Sequence, residues 1–435
     1  MLRDNNFGPD DFSDAVVKNV GHDDWSVAND GEEALANRRD FRDEKTFTID
    51  PNGSKELDDA LHLKDLGDGI YEIGVHVADV AHFVKANSLV DREAKKRGTG
   101  VYLMNRSVNM LPAKLSAEIC CLQPGEERYT VSVVFKANAA TGQVFEEDTW
   151  VGKSVIKSSG KLSYDEVDSV INGNAASSLD QTQIETIKVL NSITQRFRQD
   201  RFGGEESSIP PLRLMYQLDD ENVPVEQNIF DSSPSHEMIE ELSHKTNAFI
   251  AEKIHAAMPD KALLRRQASP NQRRLNLFAE RMSNIGYEID ISSSAALQNS
   301  LFRIEDQDVR KGMETLVVKA MQRAKYFIPS KIPDRTLSHY AFNVPMYTHF
   351  TNPSRRYADI VVHRQLEAAL SGGAIEFNED AESLSKTAES CNTKKDSAFA
   401  AQEQSVHIES CRMINRITQE SNTDLISVGI VICVY

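Results

Sequence analysis

Hydrophobic and polar positions change their period along this chain. Between residues 46 and 160, short runs such as "IYEIGVHVADVAHFV", "GVYLMNRSVNML" and "YTVSVVFKA" are strand-like and are separated by turn residues. From 180 to about 200 the period becomes helical, with Ile184, Ile187, Leu190, Ile193 and Phe197 on one face, and the segment 235–257 repeats it. Neither glycine nor proline occurs from Ala374 to Val428, which predicts one or two long helices over roughly 380–418. Residues 1–40 are acidic and weakly periodic, with a short helix expected around 12–19, and read as a lead-in to the core. The stretch 203–235 holds four prolines and is the best internal loop candidate. The last ten residues, "ISVGIVICVY", form an abrupt β-rich run, expected to be the first strand of a further β-domain. The expected class is α+β.

Composition narrows the picture. At 435 residues the chain exceeds the usual single-core size, and 40% hydrophobic residues suffice for a large core. No apolar run approaches the roughly 18–20 residues of a membrane span. The start, "MLRDNNFGPDDFSD", has neither the basic nor the apolar region of a signal peptide. The protein is therefore expected to be soluble and intracellular; a cytoplasmic location and a monomeric state are the further expectations. Cys120, Cys121, Cys391, Cys411 and Cys433 are odd in number and lack metal-site spacing, which predicts reduced core thiols and no disulfide. A net charge of −17 argues against a surface that binds nucleic acid everywhere, but a local basic channel remains compatible with it.

The densest candidate chemistry is "FTIDPNGSKELDDALH" at 47–62, where Asp50, Glu56, Asp58 and Asp59 fall within ten positions around a Pro-Asn-Gly turn. One reading is a solvated acidic turn, since 66 acidic residues face 49 basic ones. The flanks favour another. "FTI" and "ALHL" look like buried strand ends, so a reversal brings Asp50 back towards Asp58 and Asp59. Carboxylates gathered there repel one another and call for a cation, and an oxygen-only ligand set favours Mg²⁺ or Mn²⁺. An EF-hand is excluded because Gly53 comes two places too early.

Later stretches add candidates, each with a bland alternative. "YTHFTNPSRRYADIVVHRQL" supplies His349, Arg355 and Arg356 before a helical run, as phosphate-binding guanidinium groups or as surface ion pairs. "CNTKKDSAFAAQEQS" carries Lys394, Lys395 and Glu403 along a helix, or simply along a solvated helix face. "KLSYDEV" offers Tyr164, a core aromatic or a base-stacking platform. "LLRRQASPNQRR" is a basic loop containing Arg265 and Arg266.

Taken together and in this order, these stretches resemble the catalytic (RNB) domain of the RNase II family of exoribonucleases. The opening motif looks like the family signature "TIDPxxAxDxDDA", aligned at Thr48, Ile49, Asp50, Pro51, Asp58, Asp59 and Ala60. "GVHVADVAHFV", "KLSY", "EMIEE", "ALLRR", "HYAFNVPMYTHFT", "RRYADIVVHRQL" and "AQEQS" continue the resemblance over about residues 35–425. The wording is most similar to the eukaryotic cytoplasmic branch, which includes fungal RNA-binding repressors without nuclease activity. The resemblance implies a lead-in at 1–40 from an oligonucleotide-binding (OB) region and an RNB domain at 41–425. It also implies a mixed or antiparallel sheet flanked by long helices, and the start of an OB-type barrel at 426–435.

For function, the resemblance implies Mg²⁺-dependent hydrolysis of single-stranded RNA from its 3′ end to 5′-mononucleotides. Asp50, Glu56, Asp58 and Asp59 would hold metal and orient water, and Arg355 would stabilise charge on the scissile phosphate. Glu403 would lie near the leaving nucleotide and Tyr164 against the terminal one. Arg265, Arg266, His349, Arg356, Lys394 and Lys395 would contact the strand. Three departures stand out. Glu56 replaces a family aspartate, "TNPSRR" replaces "TSPIRR" at Asn352 and Ser354, and "LSHKTN" places Ser243, His244 and Lys245 where the family has an apolar run. Two functions fit: an active exoribonuclease, or a catalytically weak or inactive RNA-binding relative that regulates mRNA.

Overall fold

A computed structural model describes residues 1–22, 24–174, 179–203, 233–333, 336–421 and the isolated positions 426, 429 and 431. Most of the expected loop at 203–235 and of the expected strand at 426–435 lies outside the described residues.

The alternating runs become β1 (Arg39–Asp50), β2 (Asp59–Gly67) and β3 (Ile70–Ala78), a small hairpin β4 (Val101–Leu103) and β5 (Arg106–Val108), then β6 (Glu127–Asn138) and β7 (Val144–Ser163). The expected mixed or antiparallel sheet is a closed barrel in the order β1-β2-β3-β6-β7. Neighbours are antiparallel except β1 and β7, which run parallel and shut it. The physical reason lies in length and irregularity: β7 has 20 residues, and register shifts between Phe41 and Phe47 let β1 bend along it. Strand β3 is buried over its last six residues, as a strand covered on both faces must be.

Around the barrel lie α1 (Asp14–Val20), α2 (Leu89–Arg97), α3 (Tyr164–Ile171), α4 (Gln181–Phe202) and α5 (Pro234–Ala257). Ser13, Ser88, Ser163, Asp180 and Ser233 cap them through side-chain oxygens, as expected of N-terminal helix signals. The chain continues through strand β8 (Leu264–Arg266), helices α6 (Gln272–Asn284), α7 (Ser294–Phe302) and α8 (Gln307–Val318), strand β9 (Lys325–Phe327), and helices α9 (Tyr357–Leu370) and α10 (Ala381–Ser421). The glycine-free C-terminal stretch is thus one helix of 41 residues. Helices α6 to α8 pack a second core of Leu275, Phe278, Leu297, Leu301, Val317 and Phe342, separate from the core that joins the barrel to α9.

Two further expectations are refined. Cys120, Cys121 and Cys391 are buried and outside any disulfide, but Cys411 is exposed on α10; Cys433 lies outside the described residues. Among the described residues no helix is long and apolar enough to cross a membrane.

Candidate active site

The barrel register decides where the signature acids go. Asp50 ends β1 opposite Ser163, the residue before Tyr164, and Asp59 opens β2 opposite Val77, so the loop between them caps one mouth of the barrel. Several backbone contacts hold that loop: the Asp58 carbonyl accepts from Ala78 N at 2.8 Å, the Leu57 carbonyl from Leu122 N at 3.0 Å, and the Ser54 carbonyl from Lys161 Nζ at 2.6 Å. Arg355 arrives from the turn before α9, where its carbonyl accepts from Gly100 N at 2.9 Å. Its guanidinium donates to Asn352 Oδ1 at 2.9 Å, and its charge acts on Glu56, Asp58 and Asp59. Residues some 300 positions apart in sequence therefore share one electrostatic site.

The acids pay for their crowding in protonation. Burial pushes the Asp50 carboxyl up to about 6, with the Lys161 charge opposing. Burial pushes Asp58 up to about 7 against a hydrogen bond from Ser354, and the charges of Glu56 and Asp359 add to the rise. Asp59 is pushed up to about 8 by burial and then by repulsion from Asp50 and Asp58. Glu56 is raised by burial as well. Two of the four have neutral partners. Ser354 Oγ donates to Asp58 Oδ2 at 2.6 Å, and Asn109 Nδ2 donates to Glu56 Oε1 at 2.9 Å. Among the described residues, Asp50 Oδ2 is buried with no hydrogen-bond partner.

Beside the acids is a cleft of about 490 Å³, part of it open to solvent, lined among others by Tyr164, His236, Ser243, His244, His349 and Arg356. Tyr164 stacks on His236 with ring centroids 3.8 Å apart. His349 sits in the wall with Nδ1 2.6 Å from the Tyr326 hydroxyl, and burial holds its imidazole well below the usual range. Arg356 lines the cleft while pairing with Asp359 through Nε at 3.0 Å and Nη2 at 2.8 Å.

A family model described as the RNB domain matches residues 38–372. The chain belongs to the RNB family. A solved structure described as yeast Ssd1, a pseudonuclease, is 38% identical with a TM-score of 0.83, over 89% of this chain and 47% of that one. The DIS3-like exonuclease 2 of Schizosaccharomyces pombe is 35% identical over 93% of this chain and 44% of that protein. Mycoplasma genitalium RNase R in complex with ribose-methylated single-stranded RNA is 25% identical with a TM-score of 0.75, over 91% of this chain and 61% of that one. The chain spans 34% of the length of the first two curated relatives it matches. The RNB fold here is accordingly a mixed α/β architecture with its five-stranded barrel near the N-terminal side.

Several residues expected at an RNB nuclease site are placed differently. Arg265, read as part of a basic loop, is fully buried in β8 with its guanidinium 4.6 Å above the Tyr326 ring, because pairing of β8 with β9 draws it inward. Arg266 is half-buried, donating to the Thr336 carbonyl at 3.0 Å. Lys394 donates to the Asn6 carbonyl at 2.5 Å, and Lys395 acts on buried His339 and His349. Glu403 is exposed on α10. Lys161, which holds the acid loop, opens the "KLSY" stretch, and Asn109, which holds Glu56, lies in the run "GVYLMNRSVNML", but neither was read as a site residue.

The four-carboxylate metal set fits less well than its chemistry suggests. The all-oxygen donors and the partnerless Asp50 Oδ2 suit a hard cation. Yet among the described residues no three His, Cys, Asp or Glu side chains are placed to hold a metal ion together. Glu56 is turned to Asn109 and Asp58 to Ser354, so the expected Asp50, Glu56, Asp58 and Asp59 cage is not assembled.

Proposed function

We propose that this chain is an RNB-fold RNA-binding protein whose acid site hydrolyses RNA weakly or not at all. The observation that carries the reading is the Ser354 hydroxyl on Asp58. Phosphodiester hydrolysis needs charge stabilised on both the attacking and the leaving oxygen, which paired metal ions supply when several ionised carboxylates hold them. Here a hydroxyl donates to one carboxylate and an amide to another. Both changes fall where the chain departs from its family, at Ser354 and Glu56. The pseudonuclease description of the similar Ssd1 structure supports this reading, and the RNase R complex supports single-stranded RNA as the ligand. A cleft lined by Tyr164, Phe342 and Tyr347 suits a strand whose bases stack.

The second reading, a 3′→5′ exoribonuclease, is favoured by the convergence of Asp50, Asp58 and Asp59 with Arg355. An assay with 5′-labelled single-stranded RNA, with Mg²⁺ or chelator, separates the two. The unmodified full-length protein is expected to bind RNA without Mg²⁺-dependent release of mononucleotides. Ser354→Ile combined with Glu56→Asp, which restores the family residues, is expected to raise release by up to about 100-fold. Rapid release by the unmodified protein, abolished by Asp58→Asn, would overturn the proposal.

Metal binding gives an independent check. With the Ser354 hydroxyl bonded to Asp58 and Glu56 turned to Asn109, millimolar Mg²⁺ is expected to stabilise the protein by less than about 0.4 kcal/mol. A clear upward shift of the melting curve would show a competent metal site.

A further inference from the structure

Residues 1–12 do not lead away from the core but lie along the β4–β5 hairpin and α10. Phe7 is buried with Val101, Leu103, Val108 and Ala401. Lys394 Nζ, from α10, donates to the Asn6 carbonyl and sits 5.0 Å over the Phe7 ring. About three helical turns further along α10, Gln404 Oε1 accepts from Asn5 Nδ2 at 3.0 Å.

The other end of this segment is fastened by Arg97 at the end of α2. Its Nη1 donates to the carbonyls of Asp10 at 3.2 Å and Asn109 at 3.0 Å, and its Nη2 to those of Pro9 at 3.3 Å and Asp11 at 3.1 Å. Nε donates to Glu93 at 3.0 Å, so all five guanidinium hydrogens are engaged, and the Phe12 ring lies 3.8 Å from the guanidinium carbon. Arg106 adds an ion pair to Asp10 at 3.0 Å. Three successive carbonyls converging on one buried guanidinium hold the segment in a single conformation. Asn109, the fourth carbonyl on that guanidinium, is also the residue whose amide holds Glu56.

We propose that residues 1–12 are a strap masking an RNA-backbone-binding face of α10 around Lys394 and Gln404, with Arg97 as its latch. The proposal rests on the RNA-binding reading above. A phosphate oxygen is a charge-assisted partner for the Lys394 ammonium, stronger than the neutral Asn6 carbonyl, so RNA and strap compete for the same group. When the binding-competent state is strap-open, apparent affinity falls in proportion to the fraction open, and loosening the latch raises it.

The test uses the full-length protein and a fluorescein-labelled single-stranded oligoribonucleotide in a salt series, with amide hydrogen exchange of residues 1–12. RNA is expected to speed exchange in the strap. Arg97→Met, and separately Phe7→Ser, which leaves the Arg97 cluster intact, are expected to tighten binding about tenfold. The slope of log affinity against log salt should steepen by about 0.7 for the phosphate gained by Lys394. Lys394→Met added to Phe7→Ser should cancel both changes. If the unmodified protein binds RNA with strap exchange unaltered, and the variants that keep their fold bind with its affinity and salt slope, the strap is refuted and RNA binding stands. If neither the unmodified protein nor any variant binds, both readings fall.

Discussion

Gly74→Ala is expected to destabilise the fold by about 3 kcal/mol, a large effect for a single added methyl group. A Cβ at position 74 would lie 2.2 Å from His62 Cε1, 2.3 Å from His62 Nδ1 and 2.9 Å from His76 Nε2. Neither ring can retreat easily. His62 Nδ1 and His76 Nε2 share a hydrogen bond of 2.7 Å, His76 Nδ1 meets Ser132 Oγ at 2.6 Å, and Ser132 continues to Ser154 Oγ at 2.5 Å and on to Thr130. Phe41 packs against both imidazoles. The hydrogen-bonded residues lie on β2, β3, β6 and β7, and burial holds the His76 imidazole well below its usual range. Glycine at 74 is the gap that admits the His62 ring. Denaturant unfolding should show the loss, and Gly74→Ala combined with His62→Ala should cost less than the sum of the single changes, because the ring that clashes is gone. A Gly74→Ala protein within about 0.5 kcal/mol of the parent would refute this account of the barrel.

Asp79→Asn is expected to cost about 3–5 kcal/mol, because it leaves a buried cation without its counter-charge. Arg38 Nη2 donates to Asp79 Oδ2 at 2.7 Å, with side chains only 2% and 1% exposed, and Lys153 Nζ approaches the same oxygen at 3.7 Å. Arg38 also donates to the carbonyls of Thr130 and Ser154 and lies 3.9 Å over the Tyr129 ring. Burial by itself would raise the Asp79 carboxyl, but Arg38, Lys153 and His82 outweigh it and hold it at about 2. The sign of the pH dependence follows. A carboxylate depressed in the folded state stabilises at pH values above its unfolded value near 4, and that stabilisation is lost as pH falls from about 4 towards about 2. The unmodified protein should therefore lose stability through that window more steeply than Asp79→Asn, as read from urea midpoints at successive pH values. Parallel profiles would remove Asp79 from the acid response.

Much of this molecule could be read from the order of its residues. Alternation in "YTVSVVFKA" and helical spacing from Ile184 to Phe197 marked β6 and α4 correctly, because period and burial are properties of neighbouring positions. The glycine-free run marked α10, and the ordered motifs marked the RNB family. Helices α6 to α8 went unread among short mixed segments, since their apolar faces make sense only against one another and Phe342. Closure of the barrel was hidden too, because it depends on the parallel pairing of β1 with β7, more than a hundred residues apart.

The acids show the same division. Their crowding at 50–59 was visible as sequence, and so were the departures at Glu56 and Ser354. Which atoms those side chains meet was settled only by folding: Ser354 on Asp58, Asn109 on Glu56, and a strap from residues 1–12 on Lys394. Charge type and period are local and survive in a one-dimensional string. The partner of a carboxylate or an ammonium is a matter of a few ångströms between distant segments, and hydrogen bonding and burial act only at that range.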